Sequence, residues 1–148
     1  MILHHLHSSP EELDHHDDID LVPAVAWEKY QDNRDELKKR EKILARDPKI
    51  AYFYAYHVLK GPFPLGEKAI AKDASESYFY ATHVLEGRFE LGEPAIIHDG
   101  GYAFMYVRDV LNKRWPAGEK AIAISGLNSI GYAIHILKGP FPQGEAAI

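Results

Sequence analysis

The hydrophobic pattern of this chain repeats every 26 residues. Repeats begin at Asp47, Asp73, Asp99 and Ser125, with no insertion between them. When the positions in each repeat are numbered from 1 to 26, six positions hold the same residue in all four repeats: Tyr at 8, Leu at 13, Gly at 20, Glu at 21, Ala at 23 and Ile at 24. Self-similarity at a fixed period predicts a stacked architecture of small helical or strand units.

Each repeat predicts two helices. Position 1 is Asp or Ser, whose side chains accept hydrogen bonds from the free N–H groups of a first helical turn, so helix A is expected from position 2 to position 14. Gly61, Gly87 and Gly139 at position 15 are typical of the left-handed residue that ends a helix, whereas the third repeat has Lys113 there. A short helix B is expected from position 19 to position 26, with its Glu in the first turn, where a negative charge suits the helix dipole.

The predicted fold class is therefore all-α, an α-solenoid of tandem 26-residue helix-turn-helix repeats with an N-terminal helical cap. Residues 1–20 form a polar, His/Asp-rich segment, and residues 21–46 form a degenerate capping repeat whose second half, 36–46, is expected to be a charged helix. In that repeat Trp27, Glu41 and Leu44 fall on positions 7, 21 and 24. The four full repeats are 47–72, 73–98, 99–124 and 125–148.

The two sides of helix A are expected to have different roles. At about 100° per residue, positions 5, 8, 9, 12 and 13 lie on one side and should form the core, together with the aromatic residue at position 17 and Ile at position 24. The Tyr hydroxyls of position 8 should then bond to a carbonyl or a Glu. The opposite side is either an exposed binding stripe or a packed middle layer. As a partner-binding surface it comprises Phe53, Tyr56, His57, Phe79, His83, Met105 and Arg108.

Position 11 holds His57, His83, Asp109 and His135, which resembles a set of metal ligands. Stacked helices lie ~8–10 Å apart, whereas the ligands of one zinc ion lie only ~2 Å from the metal. Four equivalent positions therefore do not share one ion. A ladder of polar side chains that bond to the backbone of the adjacent repeat is the expectation.

The N-terminal segment is the one candidate metal site. His15, His16, Asp17 and Asp18 carry ligand types that suit a divalent ion, and they resemble a fragment of the His-Asp phosphohydrolase signature whose other positions are missing. The alternative is a short polar helix that covers the end of the stack. No cofactor is expected.

The two ends of the array differ. The N-terminal end carries the charged residues 1–46, whereas the last repeat keeps the repeat pattern to its final residue. Because solenoids need polar caps at both ends, we expect the C-terminal repeat to dock onto a second copy or a partner protein through Phe141, Ala147 and Ile148.

Charge and composition exclude several functions. The net charge is −5, and residues 1–46 contribute 7 Lys/Arg against 11 Asp/Glu, so nucleic-acid binding is not expected. The absence of Cys excludes disulfides and thiolate metal sites. No apolar run approaches the ~20 residues of a membrane span, and the N-terminus is too short and polar for a signal peptide. A cytoplasmic protein without enzymatic activity is the expectation.

The unit Tyr-x-Tyr-Ala-x-x-Val-Leu-x-Gly-x-Phe-x-x-Gly-Glu-x-Ala-Ile is clearest at residues 52–70 and 78–96. It resembles short repeats in small proteins of tailed bacteriophages and phage-like elements, over residues 47–148, and departs from them at residues 112–115. The expected function of this chain is a non-enzymatic protein-binding scaffold. If the chain is phage-encoded, as the resemblance implies, we expect it to bind and block a host protein, such as a defence nuclease, in the host cytoplasm. The alternatives are a structural protein that self-assembles through its C-terminal repeat and a metal-dependent activity at the N-terminal cluster.

Overall fold

The computed structural model describes residues 34–147, and every regular element in this range is helical. The all-α class is therefore confirmed for this part of the chain. His15, His16, Asp17 and Asp18, as well as Ile148, lie outside it. The chain divides into two compact units, one ending at Ile70 and the other beginning at Ala71. No helix in the described range is long and apolar enough to cross a membrane.

The first unit contains the end of the degenerate repeat and the whole of the first full repeat's helical pair. Its helices are Arg34–Lys39, Glu41–Leu44, Pro48–Phe53 with a π-helical continuation Tyr54–Leu59, and Pro64–Ile70. The charged helix expected over residues 36–46 is thus two short helices. Leu37 and Leu44, at positions 17 and 24 of the degenerate repeat, are fully buried, so this segment packs as the second half of a repeat.

The second unit contains repeats 2, 3 and 4. Their A helices are Ala74–Phe79 continued by Tyr80–Leu85, Gly100–Tyr106 continued by Val107–Leu111, and Gly126–Tyr132 continued by Ala133–Leu137, and each continuation is π-helical. Their B helices are the 3₁₀ turn Glu90–Gly92 with Glu93–Ile96, then Pro116–Ile122, and Pro142–Glu145. The helix boundaries predicted from the repeat are therefore close to those observed.

The expected N-caps are present in three repeats. The Asp47 carboxylate accepts the N–H groups of Lys49 at 2.9 Å and Ile50 at 3.0 Å. Asp99 and Ser125 accept one N–H group each, at 3.0 Å and 3.3 Å. Asp73 has the same extended backbone but makes no capping bond with its side chain. Position 1 thus starts helix A in both units.

The stop of helix A differs from the prediction. The left-handed residue is at position 14, not at the glycine of position 15: φ is 54° at Lys60, 51° at Glu86, 53° at Asn112 and 54° at Lys138, and no glycine in the described range has a positive φ. The last turn of helix A is a π-helix, and the left-handed residue follows it directly. In repeat 1 the N–H groups of Lys60 and Gly61 both bond to the Ala55 carbonyl.

The predicted core is largely confirmed. Side chains at positions 5 and 8 are 0% exposed in all four repeats, and the position 17 side chains are at most 7% exposed. Ile at position 24 is 0% exposed in repeats 1 to 3. Positions 12 and 13, apart from Val58, are only half-buried. The π-helical turn explains this difference, because a residue in it is rotated by a smaller angle than the α-helical wheel assumes.

The glycine of position 20 allows helix A and helix B to approach each other. A Cβ atom on Gly66 would lie 2.6 Å from the Phe63 ring and 2.9 Å from the Ala51 Cβ. A Cβ atom on Gly118 would lie 2.5 Å from the Trp115 ring. The small residues at position 5 and the glycine at position 20 are therefore both needed for helix A and helix B to pack closely.

Candidate functional site

Within each unit, the tyrosine of position 8 joins a repeat to the one before it. The Tyr132 hydroxyl donates to Glu119 Oε2 at 2.6 Å and accepts the Trp115 N–H at 3.0 Å. Glu119 is at position 21 and Trp115 at position 17 of the preceding repeat. The hydroxyl thus satisfies a buried carboxylate and a buried amide at once.

The same pair recurs elsewhere. Tyr106 donates to Glu93 Oε2 at 2.6 Å and accepts the Phe89 N–H at 3.0 Å. In the first unit Tyr54 donates to Glu41 Oε2 at 2.6 Å. The predicted Tyr–Glu contact is confirmed for these three tyrosines, and Glu41 makes the bond expected of a glutamate at position 21.

In repeats 2 and 3, an arginine at position 16 is a second hydrogen-bond partner of the glutamate at position 21. Arg88 bonds to Glu93 through Nε at 2.6 Å and Nη2 at 3.0 Å. Arg114 bonds to Glu119 in the same way, at 2.8 Å and 3.3 Å. Sequence reasoning missed this pair. The available signal was an arginine five residues before the glutamate in repeats 2 and 3, where repeats 1 and 4 have proline.

The ionisation of this cluster makes it structural. Burial alone would raise the pKa of Glu119, but hydrogen bonds from Arg114 and Tyr132 outweigh it and hold the pKa below its usual value. Burial and the neighbouring carboxylate raise the pKa of Tyr132 to about 12. A general acid or base works best with a pKa near the working pH, so an ionised carboxylate and a protonated phenol of this kind hold repeats together without exchanging protons at neutral pH.

The outer surface of the first unit is an aromatic cluster. Tyr56 is 42% exposed, and its ring stacks on that of Tyr52 with centroids 5.9 Å apart and an interplanar angle of 6°. The His57 ring lies 4.7 Å from Tyr56 and 5.7 Å from Phe53. Phe53 and His57 are half-buried. The predicted binding residues of repeat 1 therefore lie together.

The outer surface of the second unit mixes aromatic and charged groups. The Phe79 ring stacks on His83 at 5.9 Å, and the Tyr102 ring meets Phe79 edge-on at 6.1 Å. The Arg108 guanidinium lies 5.7 Å from the Phe104 ring centroid. Met105, like Phe79, is half-buried, whereas His83 and Arg108 are exposed. Position 7 is thus partly packed and positions 10 and 11 are more open, so both interpretations of this side apply in part.

Asp109 corrects the expectation for position 11. Its carboxylate accepts the Tyr78 hydroxyl and two bonds from Arg108, at 2.7 Å and 2.8 Å, so its partners are side chains and not a neighbouring backbone. The bonds from Arg108 are the main reason that the pKa of Asp109 lies below its usual value. Burial and Asp109 raise the pKa of Tyr78 to about 12. Among residues 34–147, no three His, Asp or Glu side chains lie together as metal ligands would.

Two grooves lie in the second unit. One, of about 380 Å³, is lined by Tyr78, Thr82, His83, Glu86 and Asp109 among others. The second, of about 620 Å³, is lined by residues that include Arg114, Glu119, Ile136, Phe141 and Gln143. Arg114, Glu119 and Asp109 in the walls of these grooves are already held in the contacts described above.

Large apolar side chains that the sequence did not single out are exposed at the end of repeat 3 and on helix A of repeat 4. Ile124 is 80% exposed, Leu127 84%, Ile130 39% and Ile134 59%. Phe141, an expected interface residue, is instead 3% exposed, with its ring 4.9 Å from Tyr132 in an edge-on contact. Position 17 belongs to the core of its own repeat, which explains this burial. Ala147 is exposed.

No family model, curated protein or solved structure matches this chain. Its function is therefore inferred from its own contacts and exposed side chains.

Proposed function

We propose that this protein is a non-enzymatic, protein-binding scaffold built as an α-solenoid of 26-residue repeats. The supporting observation is that different positions of the repeat form its core and its surface. Positions 8 and 20 are the same in every repeat and are buried, whereas position 10 differs in every repeat and is exposed in three of the four. A constant frame that carries a varied surface is what helical-repeat binding proteins use.

The varied positions span several side-chain chemistries. Position 10 holds Tyr56, Thr82, Arg108 and Ile134, which are aromatic, hydroxylic, cationic and aliphatic. Tyr56, Arg108 and Ile134 are exposed and Thr82 is half-buried, whereas positions 5, 8 and 20 are buried where helix A meets helix B. A change at position 10 therefore leaves the frame intact and alters what the surface recognises.

The exposed residues are of the types that dominate binding energy at interfaces. Tyr, Trp and Arg are enriched among residues whose truncation costs ~2 kcal/mol or more. Tyr56 is held rigid by its stack on Tyr52, and Arg108 is oriented by Asp109 and Phe104. Side chains that are fixed before binding lose less entropy when the partner arrives. The resemblance to phage repeats favours a host protein, such as a defence nuclease, as that partner.

The test compares two triple variants of the full chain as baits. The surface variant carries Tyr56→Ala, His83→Ala and Arg108→Ala. The matched control carries Leu65→Ala, Leu91→Ala and Lys120→Ala, which are also exposed but lie on B helices. Circular dichroism should show the same helix content for all three proteins.

We expect the wild type and the control to recover the same host protein, and the surface variant to bind it at least tenfold more weakly by calorimetry. Loss of a single hot-spot side chain already corresponds to about that factor. Equal affinity for the surface variant, or no saturable protein partner for the wild type, would refute the proposal.

A further inference from the structure

The strongest unexplained feature of the molecule is an exposed apolar stripe, formed by Ile124 at the end of repeat 3 and by Leu127, Ile130 and Ile134 on helix A of repeat 4. On helix A of this repeat, residues 127, 130 and 134 follow i, i+3, i+7 spacing and so share one face. Ser129 and Tyr132, both 0% exposed, lie on the core side. Helix A of repeat 4 is therefore apolar on two opposite sides.

The same face serves as a contact between consecutive repeats of the second unit. At position 6 of repeat 2, the Tyr78 ring lies 5.7 Å from Tyr102, and its hydroxyl bonds to Asp109 of repeat 3. At position 6 of repeat 3, the Phe104 ring packs against Gly131 of repeat 4. A Cβ atom on Gly131 would lie 2.6 Å from this ring. At position 6 of repeat 4, Ile130 is 39% exposed. The stripe thus continues an interface that the protein already uses.

The stripe differs from helix A of repeats 2 and 3 because it carries no charged residues. Residues 121–137 contain no Asp, Glu, Lys or Arg. Helix A of repeat 2 carries Glu76, and helix A of repeat 3 carries Arg108 and Asp109. An uncharged apolar patch packs against a copy of itself without repulsion between like charges, which an ionic patch does not.

We propose that this stripe is the interface with a second copy of the chain, related to it by a two-fold axis. In such an isologous contact the same patch meets itself. From the exposed fractions, the four side chains present roughly 500 Å² of surface, comparable to the largest apolar patch of a typical monomer, which is often functional. Pairing two patches buries ~1,000 Å² in total, the lower limit for a specific interface. The dimer is therefore weak, with a dissociation constant in the micromolar range.

Sedimentation velocity of the full chain over a concentration series tests the dimer. The wild type should shift from monomer to dimer in the micromolar range. Ile134→Glu places a charge in the apolar contact and should weaken association at least tenfold. Leu91→Glu is the matched control, because Leu91 is 55% exposed and Ile134 is 59% exposed, and it should leave association unchanged. Unaltered circular dichroism shows that both variants fold.

Cysteine cross-linking adds a readout that does not depend on destabilising anything. The chain contains no Cys, so Ile130→Cys introduces a single thiol near the middle of the stripe. Under mild oxidation it should form a covalent dimer, whereas Leu91→Cys should stay monomeric. A wild type that is monomeric into the millimolar range, equal effects of the two Glu variants, or no cross-link at residue 130 would each overturn the proposal.

Discussion

Helix A of repeat 3 and helix A of repeat 4 have the same inner face and different outer faces. Tyr106 and Tyr132 make equivalent bonds to a glutamate and a backbone N–H of the preceding repeat. On the outside, repeat 3 carries the Arg108–Asp109 pair, whereas repeat 4 carries Ile134 and His135. The comparison shows that the inner contacts define the fold of the repeat, whereas the outer residues vary without destabilising that fold. Substitutions on the inner face should therefore destabilise the fold, and their outer counterparts should not.

The largest expected effect comes from removing an inner tyrosine. Tyr132→Ala leaves a cavity in place of a fully buried ring and removes the hydrogen bond to Glu119, and loss of a buried aromatic side chain costs about 3–5 kcal/mol. Tyr56→Ala is the matched outer change, at a side chain that is 42% exposed. Urea unfolding followed by circular dichroism should show a small effect for Tyr56→Ala. Similar losses for the two variants would contradict the distinction between the faces.

The buried Glu119 carboxylate should make the free energy of unfolding depend on pH in the acid range. Because hydrogen bonds hold the folded-state pKa of Glu119 below the ordinary value of 4.5, its stabilising contribution is complete above that pH and is lost as the pH falls through the folded pKa. Glu119→Gln should lower the free energy of unfolding at pH 7 by about 1.5–3 kcal/mol, as for a hydrogen bond to a charged group.

The difference between wild type and Glu119→Gln should then shrink as the pH is lowered below 4.5. Asp109→Asn is the outer control, because its carboxylate is also held by an arginine and a tyrosine but is exposed. Its effect at pH 7 should be smaller. A constant difference between Glu119→Gln and wild type from pH 7 to pH 3 would show that ionisation of Glu119 does not stabilise the fold.

The packing of helix A on helix B should tolerate no side chain at position 20. Gly118→Ala places a Cβ atom 2.5 Å from the Trp115 ring, and overpacking of this kind costs about 1–3 kcal/mol. Gly139→Ala is the control, because its Cβ atom would meet only a carbonyl oxygen at 3.9 Å. Thermal unfolding should show a lower midpoint for Gly118→Ala alone. Equal midpoints would mean that the Trp115 ring moves aside freely.

The sequence predicted the frame better than the surface. The period, the caps and the Tyr–Glu contact follow from residues that recur at fixed spacing. The arginine–glutamate pair was missed because position 16 is Arg in only two of the four repeats, and the Tyr78–Asp109 bond was missed because position 11 is Asp in only one. Phe141 was assigned to the surface although position 17 is core, and the apolar stripe was missed because Leu127, Ile130 and Ile134 differ from their counterparts in repeats 1 to 3. The role of a residue that is specific to one repeat can be assigned only when the structure shows which residues it contacts.

The smallest effect concerns the helix stop, which the sequence misplaced by one residue. Lys138 and Asn112 both occupy position 14 with φ of 54° and 53°, a conformation that costs an L-residue roughly 1–2 kcal/mol and that Asn adopts more readily than Lys. Gly has no such strain but loses more backbone entropy on folding. Lys138→Gly should therefore stabilise the protein by about 1 kcal/mol or less, and Asn112→Gly by less still, as measured by urea unfolding. A loss of stability in Lys138→Gly would imply that the π-helical turn, and not the residue at its end, determines where helix A stops.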